Sequence, residues 1–172
     1  MKKASGIHFL MLALLAFAGI GLEVLLAFGI EPLIYGASKL SVWQWLLVVI
    51  FMIGSLTISY FDWNGSKVIR EFYANGPIRF VFQYIYYVFE TVLVTLIRIF
   101  GQKAFEKWFH RENIPYGGII VALTWGIGHF FTKDIWTGIV CMIGGLAFGS
   151  VYLLVNRDIR KAFPILWIMF VL

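Results

Sequence analysis

The sequence predicts an all-α fold: a polytopic bundle of membrane helices with five full crossings and a short C-terminal half-helix. Of its 172 residues, 61% are hydrophobic and 13% charged, with a mean hydropathy of +0.87. An ordinary soluble domain carries about 25% charge and about 45 to 50% apolar residues, so the surplus apolar surface here needs lipid as its solvent. The apolar residues also gather in separate runs, most of them near the roughly 20 residues that cross a hydrocarbon layer. The length allows about five or six such crossings in one integral membrane domain spanning residues 1–172. No room is left for a soluble catalytic domain, a nucleic-acid-binding module or a long linker.

The first run covers residues 7–30 and comes after Lys2 and Lys3. A basic start and the Ala16-Phe17-Ala18 triplet resemble a bacterial secretion signal. The run nevertheless continues through Val24-Leu25-Leu26-Ala27-Phe28, as an uncleaved spanning helix does. The second run, residues 42–60, opens with Trp43 and Trp45 and closes with Tyr60 and Trp63. Amphipathic rings at both ends are what two bilayer interfaces select. Residues 62–79 are the most polar stretch, and Gly65 and Asn75-Gly76-Pro77 bracket about two turns in which Val68, Ile69 and Phe72 share a face. This spacing predicts a separate short helix lying on the interface.

The third run, residues 80–100, begins with what reads as an interfacial belt of Gln83, Tyr84, Tyr86 and Tyr87. Lys103, Glu106 and Lys107, at i, i+3, i+4, carry the helix on out of the membrane until Pro115 ends it. The fourth run (116–131) and the fifth (135–155) are separated only by a short polar turn, which makes them an antiparallel hairpin. Gly145 and Gly149 on one and Ala122 and Gly126 on the other are small-x-x-x-small steps, which let backbones approach closely in lipid. After the polar turn at 156–161, the run 162–172 has 11 residues, about 16 Å of helix or half a hydrocarbon thickness. The expectation is that the natural chain continues, that this helix is unusual, or that its terminus reaches a wet cavity.

The 14 Lys and Arg exceed the 9 Asp and Glu, giving a net charge of +5. They are scattered among the loops, as headgroup contacts and topology signals are, and point to the lipid bilayer rather than to nucleic acid as the partner. The two sides collect similar numbers, so the positive-inside rule assigns no orientation. The single cysteine, Cys141, sits in an apolar run as a packing residue. No Cys/His/Asp cluster provides a metal site and no phosphate loop or serine elbow occurs, so no metal or cofactor is expected.

Ionisable groups inside spanning helices are costly and tend to be functional. Glu23, Glu90, Arg98 and His129 qualify. Glu23 reads as a protonated carboxyl bonded to a neighbouring helix, and Arg98 as a side chain that snorkels to the headgroups. Glu90 lies near the start of the third helix and His129 near the end of the fourth, which runs antiparallel to it, so both belong to one surface of the membrane. A carboxylate and an imidazole so placed can polarise a water, with Glu90 as general base and His129 as proton donor or oxyanion stabiliser. A purely structural hydrogen bond between the helices leaves the same trace.

From about residue 80 onwards the order of features resembles the CAAX-protease and bacteriocin-processing family of intramembrane endopeptidases, which includes type II prenyl-protein proteases. Phe89-Glu90-Thr91 to Thr95 stands where that family has E-E-x-x-x-R. Trp125-Gly126-Ile127-Gly128-His129 is similar to its F-x-x-x-H, and Gly144 to Tyr152 to its Gly-rich helix. Thr91 and Thr95 replace the second Glu and the Arg, and the final H-x-x-x-N is absent. The resemblance implies a metal-free endopeptidase of the bacterial cell membrane, with Glu90 and His129 as its catalytic residues and a prenylated or leader peptide as substrate. The departures leave open a non-catalytic relative that binds a membrane peptide or protein, as in bacteriocin self-immunity. A transporter or channel subunit lined by Glu90 and Arg98 is the third alternative.

Overall fold

The computed structural model describes residues 39–172; the first apolar run and Glu23 lie outside the described residues. Five helices make up this part: α1 Val42–Asp62, α2 Lys67–Phe109, α3 Tyr116–Thr132, α4 Ile135–Leu154 and α5 Ile159–Val171. Among the described residues, α1, α2 and α4 are long and apolar enough to cross a membrane, whereas α3 is a shorter apolar helix of 17 residues and α5 has 13. The architecture is therefore all-α with three candidate spans in this part of the chain, compatible with an integral membrane protein.

α1 begins at a capping box: Ser41 Oγ accepts from the Gln44 backbone N–H, and Gln44 Oε1 accepts from that of Ser41. The Gln44 amide also donates to the Leu154 carbonyl and to Asn156 Oδ1, at 2.9 and 2.7 Å, so the start of α1 is tied to the end of α4. Asp134 caps α4 by accepting from the Thr137 N–H and hydroxyl. Asp158 caps α5 by accepting from the Arg160 N–H.

The interfacial helix expected over residues 62–79 is the first arm of α2, and the Asn75-Gly76-Pro77 turn is a kink within one 43-residue element. Gly76 takes φ 71°, ψ 168°, a region open essentially to glycine. Pro77 needs no backbone donor at the first position of the second arm. The kink folds the first arm back, so that its buried residue is Glu71 and not the apolar face read from Val68, Ile69 and Phe72. Ile69 and Phe72 are exposed. The belt reading fails for Gln83 and Tyr87 for the same reason: both turn inward to bond Glu71.

α3 and α4 pack backbone to backbone. A Cβ on Gly145 would stand 2.8 Å from the Ala122 nitrogen, and one on Gly118 would stand 2.9 Å from the Gly145 carbonyl oxygen and from Gly149 Cα. The small step expected at Ala122 and Gly126 thus extends back one turn to Gly118. α2 joins the same centre, with Gly117 set directly against the backbone of Arg98. Its inward face carries Thr91, Thr95, Arg98 and Gln102, all at most 4% exposed, while Val81, Phe82, Ile85 and Phe89 face outward. Arg98 does not snorkel. Its guanidinium lies 5.6 Å from the Phe148 ring centroid, in cation–π geometry.

α5 runs back beneath α1 towards Asp62. It starts three residues before the run read from sequence, because Asp158 supplies the cap. Carbonyls near the end of α5 accept from side chains: Met169 from Ser55 at 3.2 Å, Phe170 from Lys67 at 2.8 Å and Leu172 from Ser59 at 3.2 Å. An ammonium at a helix C-terminus is also favoured by the helix dipole. At the opposite end, Asn156 and Arg157 adopt left-handed backbone, and Arg157 pairs with Glu106 of α2 at 2.6 Å.

Gly145→Ala should lower the stability of the detergent-solubilised protein by about 1–3 kcal/mol, since the backbone it meets cannot move aside as a side chain can. Gly144→Ala, with its nearest neighbour 4.0 Å away, should leave the thermal midpoint unchanged. Asp158 is open to a pH test, because its hydrogen bonds to Arg160 and Lys161 hold its carboxyl below the usual carboxylate range. A depressed folded pKa stabilises the fold above the unfolded value of about 3.9 and loses that contribution as pH falls through the folded value. Asp158→Asn should therefore lower the midpoint at pH 7 and flatten its decline below about pH 4.

Candidate active site

α2 and α3 run antiparallel, and Glu90 and His129 line one cavity of about 600 Å³. Its walls come from α1, α4 and α5 and are largely apolar, with Ile50, Ile58, Val140 and Phe148 among them. Its polar groups include Asp62, Lys67, Lys133 and Thr137 as well as the two predicted residues. At one end the Trp136 indole donates to Asp62 Oδ1 at 2.7 Å, joining the first turn of α4 to the last residue of α1. Cys141 is half-buried in the cavity wall.

Glu90 is held by Trp125, whose indole N–H donates to Oε1 at 2.7 Å. This bond crosses from α2 to α3. Trp125 belongs to a π-helical segment, Ala122–Gly126, in which the Ile127 N–H reaches back five residues to the Ala122 carbonyl. A segment of this kind inserts one extra residue into a turn and resets the phase of the helix beyond it. Here it allows Ala122 and Gly126 to meet α4 while Trp125 and His129 face the cavity.

His129 Nδ1 lies 2.8 Å from the Trp125 carbonyl oxygen, and the two rings meet edge to face at 4.6 Å between centroids. A carbonyl only accepts, so Nδ1 carries the proton. In the neutral ring Nε2 is then an acceptor, and only the imidazolium donates from it. Trp125 therefore touches both predicted residues. Sequence reading placed it only as a substitute for an aromatic motif position, and missed the donor that an indole has and a phenyl ring lacks.

A second polar cluster backs the cavity. The Glu71 carboxylate, 2% exposed, accepts from the Tyr87 hydroxyl at 2.5 Å and from the Gln83 amide at 2.8 Å, and Asn75 in turn donates to Gln83. The Tyr87 ring faces the Lys67 ammonium, with Nζ 4.8 Å from its centroid and 5.3 Å from that of Phe170. Lys67, Glu71 and Tyr87 escaped the sequence reading because the kink that brings the two arms of α2 together leaves no periodic trace. Only the i, i+4 spacings Lys67/Glu71 and Gln83/Tyr87 hinted at shared faces.

Thr91 and Thr95, at the motif positions of the second Glu and the Arg, are buried. The Thr91 hydroxyl donates to the Tyr87 carbonyl within its own helix at 2.7 Å. Arg98 lines no part of this cavity. Among the described residues no three His, Cys, Asp or Glu side chains are placed to hold a metal ion. No family model, curated protein or solved structure matches the chain.

Trp125→Phe keeps the ring and removes the donor. It should cost about 1.5–3 kcal/mol of stability in detergent, the range for a hydrogen bond to a charged group. Leu123→Ala, on an exposed face of the same helix, should cost less than half as much in the same thermal melt.

Proposed function

We propose that this chain is a membrane-embedded endopeptidase of a bacterial cell membrane, with Glu90 as the general base that activates water against a peptide carbonyl. The observation that carries the reading is that Glu90 and His129, on consecutive antiparallel helices, line one cavity. The resemblance of their motifs to the CAAX-protease and bacteriocin-processing family supports the same reading. The five crossings expected from the apolar runs belong to it as well.

The chemistry is hydrolysis of an amide. Trp125 fixes the carboxylate through Oε1, and the other carboxylate oxygen takes a proton from water as the water oxygen bonds to the carbonyl carbon. The carbonyl π pair moves onto oxygen. When the tetrahedral intermediate collapses, the C–N bond breaks and the proton held by Glu90 passes to the leaving nitrogen. His129 Nε2 lies on the acceptor side of the ring and serves as a relay for that proton. The apolar walls suit a peptide carrying an apolar or prenylated segment, as the resemblance implies.

One observation favours a second reading, a non-catalytic protein that binds such a peptide. The Thr91 hydroxyl is committed to its own helix and Thr95 offers no charge, so Glu90 lacks the ionic support of the family motif. Losing several groups of a concerted site removes most of its rate.

The purified protein in detergent should cleave prenylated or leader-type peptides, and Glu90→Gln should reduce kcat by at least about 100-fold with expression and thermal midpoint preserved. His129→Ala should reduce it by a smaller factor. Peptide retained by the wild-type protein and recovered intact would select the binding reading, and cleavage undiminished in Glu90→Gln would remove the peptidase reading.

A further inference from the structure

We propose that Lys67 supplies the positive charge that stabilises the oxyanion in this cavity, a task that neither Glu90 nor the neutral His129 ring can perform. The inference rests on the peptidase reading above and adds to it a residue from a part of the chain outside the motif region.

Hydrolysis by activated water places a full negative charge on the former carbonyl oxygen, and preorganised donors aimed at that charge are commonly the largest catalytic contribution. Neither predicted residue provides one. Glu90 is an anion, and the Nδ1–H of His129 is spent on the Trp125 carbonyl, which leaves neutral Nε2 with a lone pair facing outward from the ring. The cations lining the cavity are Lys67 and Lys133. Lys133 is exposed beyond the end of α3, whereas Lys67 is half-buried.

The surroundings of Lys67 fit that task. A half-buried lysine normally pairs with a carboxylate, yet among the described residues no carboxylate lies within 4 Å of its ammonium. One N–H donates to the Phe170 carbonyl at 2.8 Å, and the ammonium sits against the faces of Tyr87 and Phe170. A carbonyl and two π faces position the cation, the carboxylates of Glu71 and Glu90 act on it through space without a direct ion pair, and an ammonium has three donors. Two remain for a ligand. The Tyr87 ring is itself held by its hydroxyl on Glu71, with Gln83 on the same carboxylate oxygen. Glu71 is thus a positioning residue for the ring that seats Lys67. This also accounts for the kink at Gly76: without the fold-back, Lys67 could not reach the level of Tyr87 on the same helix, 20 positions further on.

The step balances within the site. The water oxygen forms its bond to the carbonyl carbon, Glu90 takes the water proton, and the π pair becomes the oxyanion that accepts hydrogen bonds from the Lys67 ammonium. No proton passes to or from Lys67 in this step. On collapse the oxyanion pair re-forms the C=O bond and the amine leaves with the proton that Glu90 held.

The test uses full-length protein in detergent, a prenylated peptide, and its phosphonate analogue with an anionic tetrahedral phosphorus in place of the scissile carbonyl. Lys67→Met should lower kcat by about 100-fold with little change in KM, the loss typical of one oxyanion donor. It should weaken phosphonate binding by a similar factor while binding of the parent peptide persists. Lys67→Arg, which keeps charge and the contact with Phe170, should recover much of both, and so separates the charge from any folding defect. Glu71→Gln should give an intermediate loss in kcat. Phosphonate affinity equal in wild type and Lys67→Met, or absent in both, overturns the proposal even if the wild type is an active peptidase. If the wild type hydrolyses nothing, the peptidase reading falls, and the phosphonate comparison still decides whether Lys67 is an anion-binding cation.

Discussion

The contact between α3 and α4 at Gly118, Ala122, Gly145 and Gly149 is the constraint on which the remaining geometry depends. Lipid tails are as apolar as leucine, so burying hydrocarbon between two helices gains little in a membrane, and close packing has to hold them instead. Only residues without bulky side chains let two backbones come that near. Once α3 is pinned to α4 on one side, Gly117 admits Arg98 of α2 on the other, and Trp125 and His129 are left facing the space between. The π-helical turn makes this division of faces possible within a helix of 17 residues.

Polar side chains do the rest of the joining, and each does so across a boundary between elements. Gln44 ties α1 to the end of α4, Glu106 ties α2 to the turn before α5, Asp62 ties α1 to α4, and Lys67 closes the end of α5. A polar group left unpaired in a water-poor interior is expensive, so these bonds restrict the arrangements the helices can adopt. The candidate site obeys the same logic. Trp125 is at once a bond between α2 and α3, the orienting donor for Glu90 and the acceptor for His129.

The helical class, the runs behind α1, α3 and α4, and the small-residue steps were legible, because each depends on local composition or on spacing along one helix. That Glu90 and His129 line one cavity agrees with the antiparallel course read for their helices, since antiparallel neighbours place the start of one beside the end of the next. Three other features were not legible. The first arm of α2 read as an interfacial helix because Ile69 and Phe72 are apolar, yet its orientation is set by a single left-handed glycine and one buried carboxylate. Gln83 and Tyr87 have the composition of a membrane interface and the position of a buried network. Arg98 has the sequence context of a snorkelling residue but lies under Phe148, since Gly117 leaves space for its side chain.

The sequence by itself determined that this protein is helical and apolar enough to meet lipid, that Glu90 and His129 fall on consecutive helices, and that α3 and α4 can approach closely. Those properties depend on solvent preference and on residues a few positions apart. The tertiary structure alone decided that Trp125 links the two predicted residues, that Lys67 enters their cavity from beyond a kink, and that Glu71 holds the ring beneath it. Hydrogen bonds between groups 16 to 35 positions apart leave no periodic mark on a sequence; they exist only once the backbone has brought their partners within 3 Å.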